Sequence, residues 1–333
     1  MDILFIGGTK FVGLHTVKKA LANGHNVTLF NRGETNPDIF PELEKLTGDR
    51  DGKLDALKGR KWDCVVDTCG YFPRIVKQSA ELLKDAVGQY IFISTISVYN
   101  EEGVETLDEG SELLTIEDET IEEINGETYG PLKVLCEKAI VDVYKDRALI
   151  IRPGLIIGPD DPTDRFTHWP RRMSEGGKVL CPDLPDQPTQ FIDVRDLADF
   201  TIKMAEKKAA GIYNATGPDY EILLNDFFTT CHKLCGEKAD LIWVADKFLQ
   251  KQDVAPYMDI PLWVSGDTKP YTIMRTDCRR AISQGLKFRP LEETIGDTMA
   301  WHKTRPEEID YRCGLKPDKE KEIIAKWEVK KDK

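Results

Sequence analysis

The 333-residue sequence lacks several features that would define its class at once. No apolar run approaches the roughly 20 residues of a membrane-spanning helix, so we expect no membrane segment. The first residues lack the basic region and apolar core of a secretory signal, which predicts a cytoplasmic protein. Basic residues are also outnumbered by acidic ones, with 46 Lys and Arg against 58 Asp and Glu. We therefore expect no nucleic-acid partner, because the net negative charge of the protein repels a phosphate backbone.

The cysteines follow no pairing pattern. The eight of them are scattered, which is typical of reduced thiols and not of a disulfide framework. Cys231, His232 and Cys235 come closest to a metal-ligand spacing, but no second pair completes a set of four ligands. We expect no metal site and place these residues on a helix.

Short apolar runs alternate with amphipathic stretches in the first half of the chain, as in strands joined by crossover helices. The predicted strands are Ile3–Ile6, Asn26–Phe30, Cys64–Asp67, Tyr90–Ser94 and Leu149–Ile151. Apolar residues at helical spacing predict helices within 14–21, 75–83 and 132–143. The pattern predicts an α/β fold built on a doubly wound parallel sheet.

The sequence changes character after about residue 160, where prolines cluster and strands become isolated. This change predicts a smaller, mixed C-terminal substrate lobe assembled from several segments. We expect 191–194 to return to the main sheet and a helix to follow at 197–207. The acidic stretch 101–127 is predicted to be a solvated surface excursion, and a binding role is the alternative.

A glycine turn joins the first predicted strand to the first predicted helix. Gly7 permits a tight turn, and Gly13 lets the helix pack closely on the strand. The N-terminus of that helix offers free N–H groups and a positive dipole end to a pyrophosphate. The context predicts a Rossmann dinucleotide-binding domain. Its expected cofactor contacts here are Gly7, Thr9, Lys10, Phe11, Val12 and Gly13.

Cofactor specificity is expected at the end of the second strand, which reads Asn31-Arg32-Gly33. This tripeptide has no carboxylate to bind ribose hydroxyls. Arg32, with Lys10 as a second positive charge, suits a 2′-phosphate because a guanidinium binds phosphate oxygens in pairs. The sequence therefore predicts NADP(H). NAD(H) is the alternative, with Arg32 lying over the adenine.

Tyr129 and Lys133 lie four residues apart and so share one face of a predicted helix. Pro131 is tolerated only near a helix start, so we expect the helix to begin at this motif. A neighbouring ammonium is expected to lower the pKa of Tyr129 below about 10 and make it a general acid/base. The preceding predicted strand ends in hydroxyl residues, Thr95 and Ser97, at the carboxyl edge of the sheet.

The order of these motifs resembles the extended short-chain dehydrogenase/reductase family, which includes the NAD-dependent epimerases and dehydratases. The resemblance covers almost the whole chain. The matching segments are 7–13, 94–99, 129–133, 152–159, 191–196 and 285–290. It implies that Thr95 orients the substrate oxygen, that Tyr129 exchanges the proton and that Lys133 also holds the nicotinamide ribose. It further implies that Asp49 contacts adenine.

Two departures refine the resemblance. Lys10 replaces the usual middle glycine, as in an atypical, isoflavone-reductase-like branch and in chloroplast RNA-binding relatives. Pro153 and Gly154 stand where sugar-nucleotide epimerases commonly carry a substrate-contacting Asn. The family also leads us to expect a homodimer through the helices at 75–83 and 132–143, and domains at 1–158, rejoined by about 189–215, at 159–188 with 216–320, and a tail at 321–333.

Substrate contacts are expected from Ser97 and from a compact polar and aromatic run after the Gly158-Pro159 turn. The candidates are Ser97, Arg165, His168, Trp169 and Arg171, and a packing turn around Trp169 is the alternative for the run from 165 to 171. Taken together, the sequence predicts an NADP(H)-dependent oxidoreductase acting on a small-molecule carbonyl or alcohol. The alternatives are a nucleotide-sugar epimerase/dehydratase and a non-catalytic relative that binds a dinucleotide or RNA.

Overall fold

The computed structural model describes residues 1–268, 271–306 and 308–331. The strands are β1 Asp2–Ile6, β2 Asn26–Asn31, β3 Glu44–Thr47, β4 Trp62–Asp67, β5 Val87–Ile93, β6 Ala148–Pro153, β7 Leu155–Ile157, β8 Gly177–Asp183, β9 Pro188–Thr189, β10 Phe191–Asp193, β11 Gly211–Ala215, β12 Ile222–Leu223 and β13 Ala239–Ala245. The helices are α1 Phe11–Ala22, α2 Pro73–Leu83, α3 Tyr129–Tyr144, α4 His168–Glu175, α5 Val194–Glu206, α6 Leu224–Leu234, α7 Asp246–Leu249, α8 Arg279–Gln284, α9 Leu291–His302 and α10 Pro317–Lys331.

A parallel sheet forms the centre of the molecule, with seven strands among the described residues in the order β11-β6-β5-β4-β1-β2-β3. Successive residues of β1 face opposite sides. Ile3 and Phe5 pack with α1 and α5, whereas Leu4 and Ile6 pack with α2 and α3. This two-sided burial explains why the strands read as apolar runs. The α/β prediction and the five predicted strands are confirmed.

One strand prediction is wrong. Phe191–Asp193 does not join the central sheet but pairs in parallel with Leu155–Ile157 as a separate two-stranded sheet. The seventh strand is Gly211–Ala215, which reaches the edge beside β6 after α5. Both segments are short and apolar, so their composition does not indicate which strand each one pairs with. Only the backbone hydrogen bonds of the folded chain distinguish the two. The helix predicted after this segment is confirmed, as α5.

The later segments form a second hydrophobic core around the parallel pair β8 and β13. Trp169, Trp263 and Phe227 are almost fully buried there. His232 Nε2 lies 2.8 Å from the Ala239 carbonyl oxygen. In the described part of the chain, no group of three or more His, Cys, Asp or Glu side chains is placed to hold a metal ion, and none of the helices is both long and apolar enough to cross a membrane.

The acidic segment 101–127 is largely exposed, as predicted, but residues near its start and near its end contact other parts of the protein. Leu107 is fully buried, and the Thr272 hydroxyl donates to the Val104 carbonyl oxygen at 2.7 Å. Farther along, Glu122 accepts hydrogen bonds from Arg74 on α2. The segment therefore contacts both the sheet domain and the C-terminal part of the chain.

Candidate active site

A cleft of about 580 Å³ opens at the carboxyl edge of the central sheet. Its size falls within the range of roughly 300–1,000 Å³ that is common for small-molecule sites. The predicted cofactor residues Gly7 to Gly13 line it, together with Asn31, Arg32 and Asp49. The fold thus brings together residues from the ends of β1, β2 and β3, which the sequence separates by tens of positions.

The glycine turn at the cleft depends on the absence of side chains. Gly7 has a φ of 102° and Gly8 a φ of 90°, values that other residues rarely adopt. A Cβ atom on Gly13 would lie 2.8 Å from the Gly8 Cα, so α1 packs against the turn only because residue 13 is glycine. Phe11, the first residue of α1, has a φ of 38°. The turn is a cradle that fits a pyrophosphate at the helix N-terminus.

Asn31 holds the shape of the cleft with its side chain. Its Nδ2 donates to the Gly7 carbonyl oxygen at 3.1 Å, and its Oδ1 accepts from the Gly33 N–H at 2.9 Å. The amide therefore ties the end of β2 to the glycine turn. Asn31 also lines the cleft, so its contact with the cofactor stays a prediction.

Arg32 is exposed at the rim of the cleft and forms an ion pair with Glu34 at 3.1 Å. Both side chains are more than 60% exposed, so the pair is weak and readily exchanged. Lys10 precedes α1 and is exposed. Sequence reasoning noted the missing carboxylate at 31–33 but not Glu34, which also lines the cleft.

A buried ion pair supports the floor of the cleft. Arg50 donates to both carboxylate oxygens of Asp67 at 2.9 and 2.6 Å, and Tyr90 donates to Asp67 at 2.8 Å. Burial opposes the charge of Arg50, but Asp67 raises its pKa above the ordinary value. Neighbouring Asp49 accepts from the Asp51 N–H at 3.0 Å and lines the cleft. Sequence reasoning missed Arg50, since a charged residue beside a turn usually indicates surface.

Helix α3 begins at Tyr129, so Pro131 lies in its first turn as predicted. Gly130 allows a close approach to the segment after β5, because a Cβ there would lie 2.2 Å from the Ser97 carbonyl oxygen. The Thr95 hydroxyl donates to Ser97 Oγ and accepts from the Ser97 N–H, both at 3.1 Å. Thr95 lies close enough to Tyr129 for its hydroxyl to lower the pKa of the phenol. The structure thus brings Thr95, Ser97 and Tyr129 together.

Lys133 is buried beneath this group. Its Nζ donates to the carbonyl oxygens of Gly70 at 2.9 Å and Ile93 at 2.8 Å, and it lies 4.0 Å from the centre of the Phe92 ring. Burial lowers the pKa of Lys133 to about 8. In the described chain these bonds use two of the three ammonium donors, which leaves one for a ligand hydroxyl.

The predicted direction of the Tyr129 pKa shift is wrong. Burial raises the pKa of Tyr129 above its ordinary value, against the lowering effects of the Thr95 hydroxyl and the charge of Arg165. Lys133 does not supply the expected effect, because its ammonium is directed to the Gly70 and Ile93 carbonyls. Tyr129 is therefore protonated at neutral pH and is a potential proton donor.

A second buried network holds α3 against the sheet. Arg152 donates to Glu137 at 3.0 and 2.6 Å and to the Tyr99 hydroxyl at 2.8 Å. Ser94, next to Thr95, donates to the same carboxylate at 2.5 Å. Glu137 lies one helical turn after Lys133, so this network fixes the helix that carries the candidate catalytic residues.

The structure separates the predicted substrate residues. Trp169 is 1% exposed and donates to the Pro261 carbonyl oxygen, and His168 is buried with a pKa lowered to about 3 by burial and by neighbouring arginines. Arg171 pairs with Glu175 and lies 4.3 Å from the centre of the Tyr311 ring. His168 and Trp169 therefore match the alternative prediction, in which this segment is a packing turn around Trp169 and not a set of substrate contacts. Arg165 is half-exposed, and its charge acts on Tyr129.

Comparison with known proteins identifies the class. The family model described as the NAD dependent epimerase/dehydratase family matches residues 3–216, and the chain belongs to that family. The extended dehydrogenase/reductase resemblance is thereby confirmed. The match is to the broad family, and the isoflavone-reductase-like branch stays a prediction.

Among individual proteins, the chain is similar to chloroplast stem-loop binding protein of 41 kDa b from Arabidopsis thaliana, at 26% identity over 252 residues. The match covers 70% of this chain and 63% of that protein. The fold is similar to the Bordetella bronchiseptica enzyme WbmH, solved with NAD+, at a TM-score of 0.67, 16% identity and coverage of 91% and 98%. It is also similar to UDP-N-acetylglucosamine 4-epimerase from Bacillus cereus, at a TM-score of 0.67, 14% identity and coverage of 93% and 99%.

Proposed function

We propose that the protein is an NADP(H)-dependent oxidoreductase that transfers hydride to or from a small-molecule carbonyl or alcohol, with Tyr129 as the acid/base. The observation that carries the proposal is the position of Lys133 on the helix that begins at Tyr129: its ammonium donates to the carbonyl oxygen of Gly70, which lies between the cleft-lining residues Cys69 and Tyr71. The family and the neighbour solved with NAD+ support a nicotinamide dinucleotide. When bound, this cofactor supplies or takes up the hydride.

The residues of the chain divide the remaining work. The turn from Gly7 to Gly13 binds the pyrophosphate, and Arg32 binds the 2′-phosphate once Glu34 is displaced. Lys133 donates its third N–H to the nicotinamide ribose. Thr95 orients the substrate oxygen, and Tyr129 gives that oxygen a proton in the direction of reduction. The raised pKa of Tyr129 suits this direction, because the phenol stays protonated.

The test combines cofactor titration with turnover. We expect the wild type to bind NADPH. We also expect it to oxidise NADPH, followed as a loss of absorbance at 340 nm, when one or more aldehydes or ketones of a panel are supplied as substrates. Tyr129→Phe is expected to keep cofactor affinity and lose roughly 10²- to 10⁴-fold in kcat. Tyr220→Phe, which changes an exposed phenol, is the matched control. Full activity of Tyr129→Phe would refute the assigned role.

The epimerase alternative is distinguished by its products. The neighbours solved as sugar-nucleotide epimerases favour it, whereas Pro153 and Gly154 after Arg152 disfavour it. An epimerase converts UDP-glucose or UDP-N-acetylglucosamine, detected by chromatography, with no net change in cofactor absorbance. Such conversion without NADPH consumption would replace the reductase proposal.

Binding of a nucleic-acid stem-loop is a second candidate, favoured by the name of the Arabidopsis relative. The net charge of −12 opposes it, because a phosphate backbone is repelled. Titration of the protein into a fluorescently labelled RNA hairpin at about 0.15 M salt, followed by polarisation, distinguishes RNA binding from the proposed enzyme activity. Tight binding by a protein that turns over no carbonyl or sugar nucleotide would support this candidate.

A further inference from the structure

Arg74 on α2 forms ion pairs with two carboxylates from different parts of the chain. Its Nη1 and Nη2 donate to Asp51 at 2.7 and 3.1 Å, and its Nε and Nη2 donate to Glu122 at 2.8 and 3.1 Å. Asp51 follows β3, whereas Glu122 belongs to the acidic segment 101–127. One guanidinium therefore joins two loops that lie far apart in sequence. We call these three side chains the Arg74 clasp.

The Arg74 clasp differs from an ordinary surface ion pair in its geometry. Its three side chains are between 41% and 48% exposed, and a single pair at such exposure contributes little. Here each carboxylate accepts two hydrogen bonds from one planar guanidinium, which is a stronger arrangement than a single contact. Hydrogen bonds from Arg74 lower the pKa of both carboxyls, and the charge of Asp51 opposes this effect at Glu122. The two carboxylates therefore repel each other, and Arg74 offsets that repulsion.

Both loops contribute walls to the cleft at the carboxyl edge of the sheet. Asp49 lines the cleft and accepts from the Asp51 N–H at 3.0 Å. Ile124, two residues after Glu122, lines the cleft as well. The Arg74 clasp therefore acts on the cleft through the residues next to its two carboxylates, and it holds the Asp49 wall and the Ile124 wall together.

The loop that contains Glu122 also leads directly to Tyr129. The Asn125 carbonyl oxygen accepts from the Tyr129 N–H at 3.1 Å, and the Asn125 Oδ1 accepts from the Thr128 N–H at 3.0 Å. The Thr128 hydroxyl donates to the Glu123 carbonyl oxygen at 2.6 Å. Glu122 is therefore connected, through a short and well-bonded turn, to the start of the helix that carries the candidate catalytic residues.

We propose that Arg74 is a positioning residue for the cofactor: the Arg74 clasp fixes two walls of the cleft at the separation that a bound dinucleotide requires, and it thereby slows release of the dinucleotide. This role rests on the proposed function, since it requires a nicotinamide dinucleotide in the cleft. Walls that are fixed before binding lower the cost of ordering the complex, and such effects act mainly on the dissociation rate. Arg74, Asp51 and Glu122 were not among the site residues suggested by the sequence.

Stopped-flow displacement measures release without requiring turnover. The protein saturated with NADPH is mixed with a large excess of NADP+, and the loss of nicotinamide fluorescence gives the dissociation rate constant. Arg74→Gln is expected to raise this constant roughly 3- to 10-fold and to change the association rate constant by less than about twofold. Arg60→Gln is the matched control, because it removes an arginine from an exposed ion pair with Glu44 at the amino edge of the sheet, opposite the cleft. Equal release rates in Arg74→Gln, the control and the wild type overturn the proposal.

Two further measurements distinguish the charge pairing from a local structural effect of the substitution. Glu122→Gln alone is expected to raise the dissociation rate constant, and adding it to Arg74→Gln is expected to give no further rise, because the two residues act as one unit. The difference between Arg74→Gln and the wild type is expected to be smaller in about 0.5 M salt than in about 0.05 M salt, since salt screens exposed ion pairs. Effects that multiply in the double variant, or a difference that salt leaves unchanged, also overturn the proposal.

The outcomes for this role and for the proposed function are distinct. Release that depends on Arg74, in a protein that turns over no carbonyl compound, supports the Arg74 clasp and contradicts the proposed function. Turnover with equal release rates contradicts the clasp alone. Where NADH binds and NADPH does not, the same displacement is run with NADH and NAD+, and failure of both to bind contradicts both proposals.

Discussion

The buried pair of Arg152 and Glu137 gives the sharpest test of the architecture. Arg152 is 1% exposed and Glu137 is 4% exposed, and two hydrogen bonds of 3.0 and 2.6 Å join them. Glu137→Gln removes the negative charge and leaves Arg152 with neutral partners, the glutamine amide oxygen and the Tyr99 hydroxyl. Breaking a buried pair in this way costs about 3–5 kcal/mol, because the remaining charge is neither solvated nor neutralised.

Urea denaturation followed by tryptophan fluorescence and circular dichroism measures this loss. The exposed pair of Arg60 and Glu44 is the control, since Glu44→Gln is expected to cost about 1 kcal/mol or less. Replacing both buried charges, Glu137→Gln with Arg152→Met, is expected to recover part of the stability. A loss below about 1 kcal/mol for Glu137→Gln, or a double variant as unstable as the sum of its parts, would refute the reasoning.

Three further outcomes are expected. Arg32→Gln raises the Kd for NADPH roughly 10- to 100-fold and leaves NADH nearly unchanged, while Glu34→Gln tightens NADPH severalfold; equal effects on both cofactors in a fluorescence titration would show that no 2′-phosphate binds there. Gly13→Ala, which puts a Cβ 2.8 Å from Gly8 Cα, costs about 1–3 kcal/mol of stability and weakens NADPH binding; unchanged affinity would separate the glycine turn from the cofactor. Lys133 has a folded pKa of about 8, below 10.5, so the unfolded chain binds more protons between these values and the free energy of unfolding rises through that window. The rise is on the order of 3 kcal/mol larger than in Lys133→Met, and parallel pH curves for the two proteins would contradict it.

The sequence predicted the central strands well because each is buried on both faces. Ala148–Pro153 is buried at every position, and such a run has few other interpretations. The edge strand Glu44–Thr47 was missed because its residues are mostly polar and one side faces solvent. Phe191–Asp193 was placed in the wrong sheet, since pairing depends on where the chain returns in space and not on local composition.

The candidate site was predictable where spacing fixes geometry. Tyr129 and Lys133 share a helix, so one helical turn places both near the sheet edge. The environment of these groups was not predictable, because it comes from distant segments: Arg165 affects the Tyr129 pKa, and the Gly70 and Ile93 carbonyls bind Lys133. His168 and Trp169 were ambiguous for the same reason, since burial depends on tertiary packing.

The strand at the sheet edge, Gly211–Ala215, also has a consequence for biosynthesis. It pairs with β6 only after the ribosome has made β7 through α5, so the nascent sheet waits with one flank of β6 unpaired. A fragment ended near residue 158 would keep that flank open permanently and offer it to other chains. Expression of the dinucleotide-binding half alone is therefore expected to yield aggregates unless the fragment extends past residue 215.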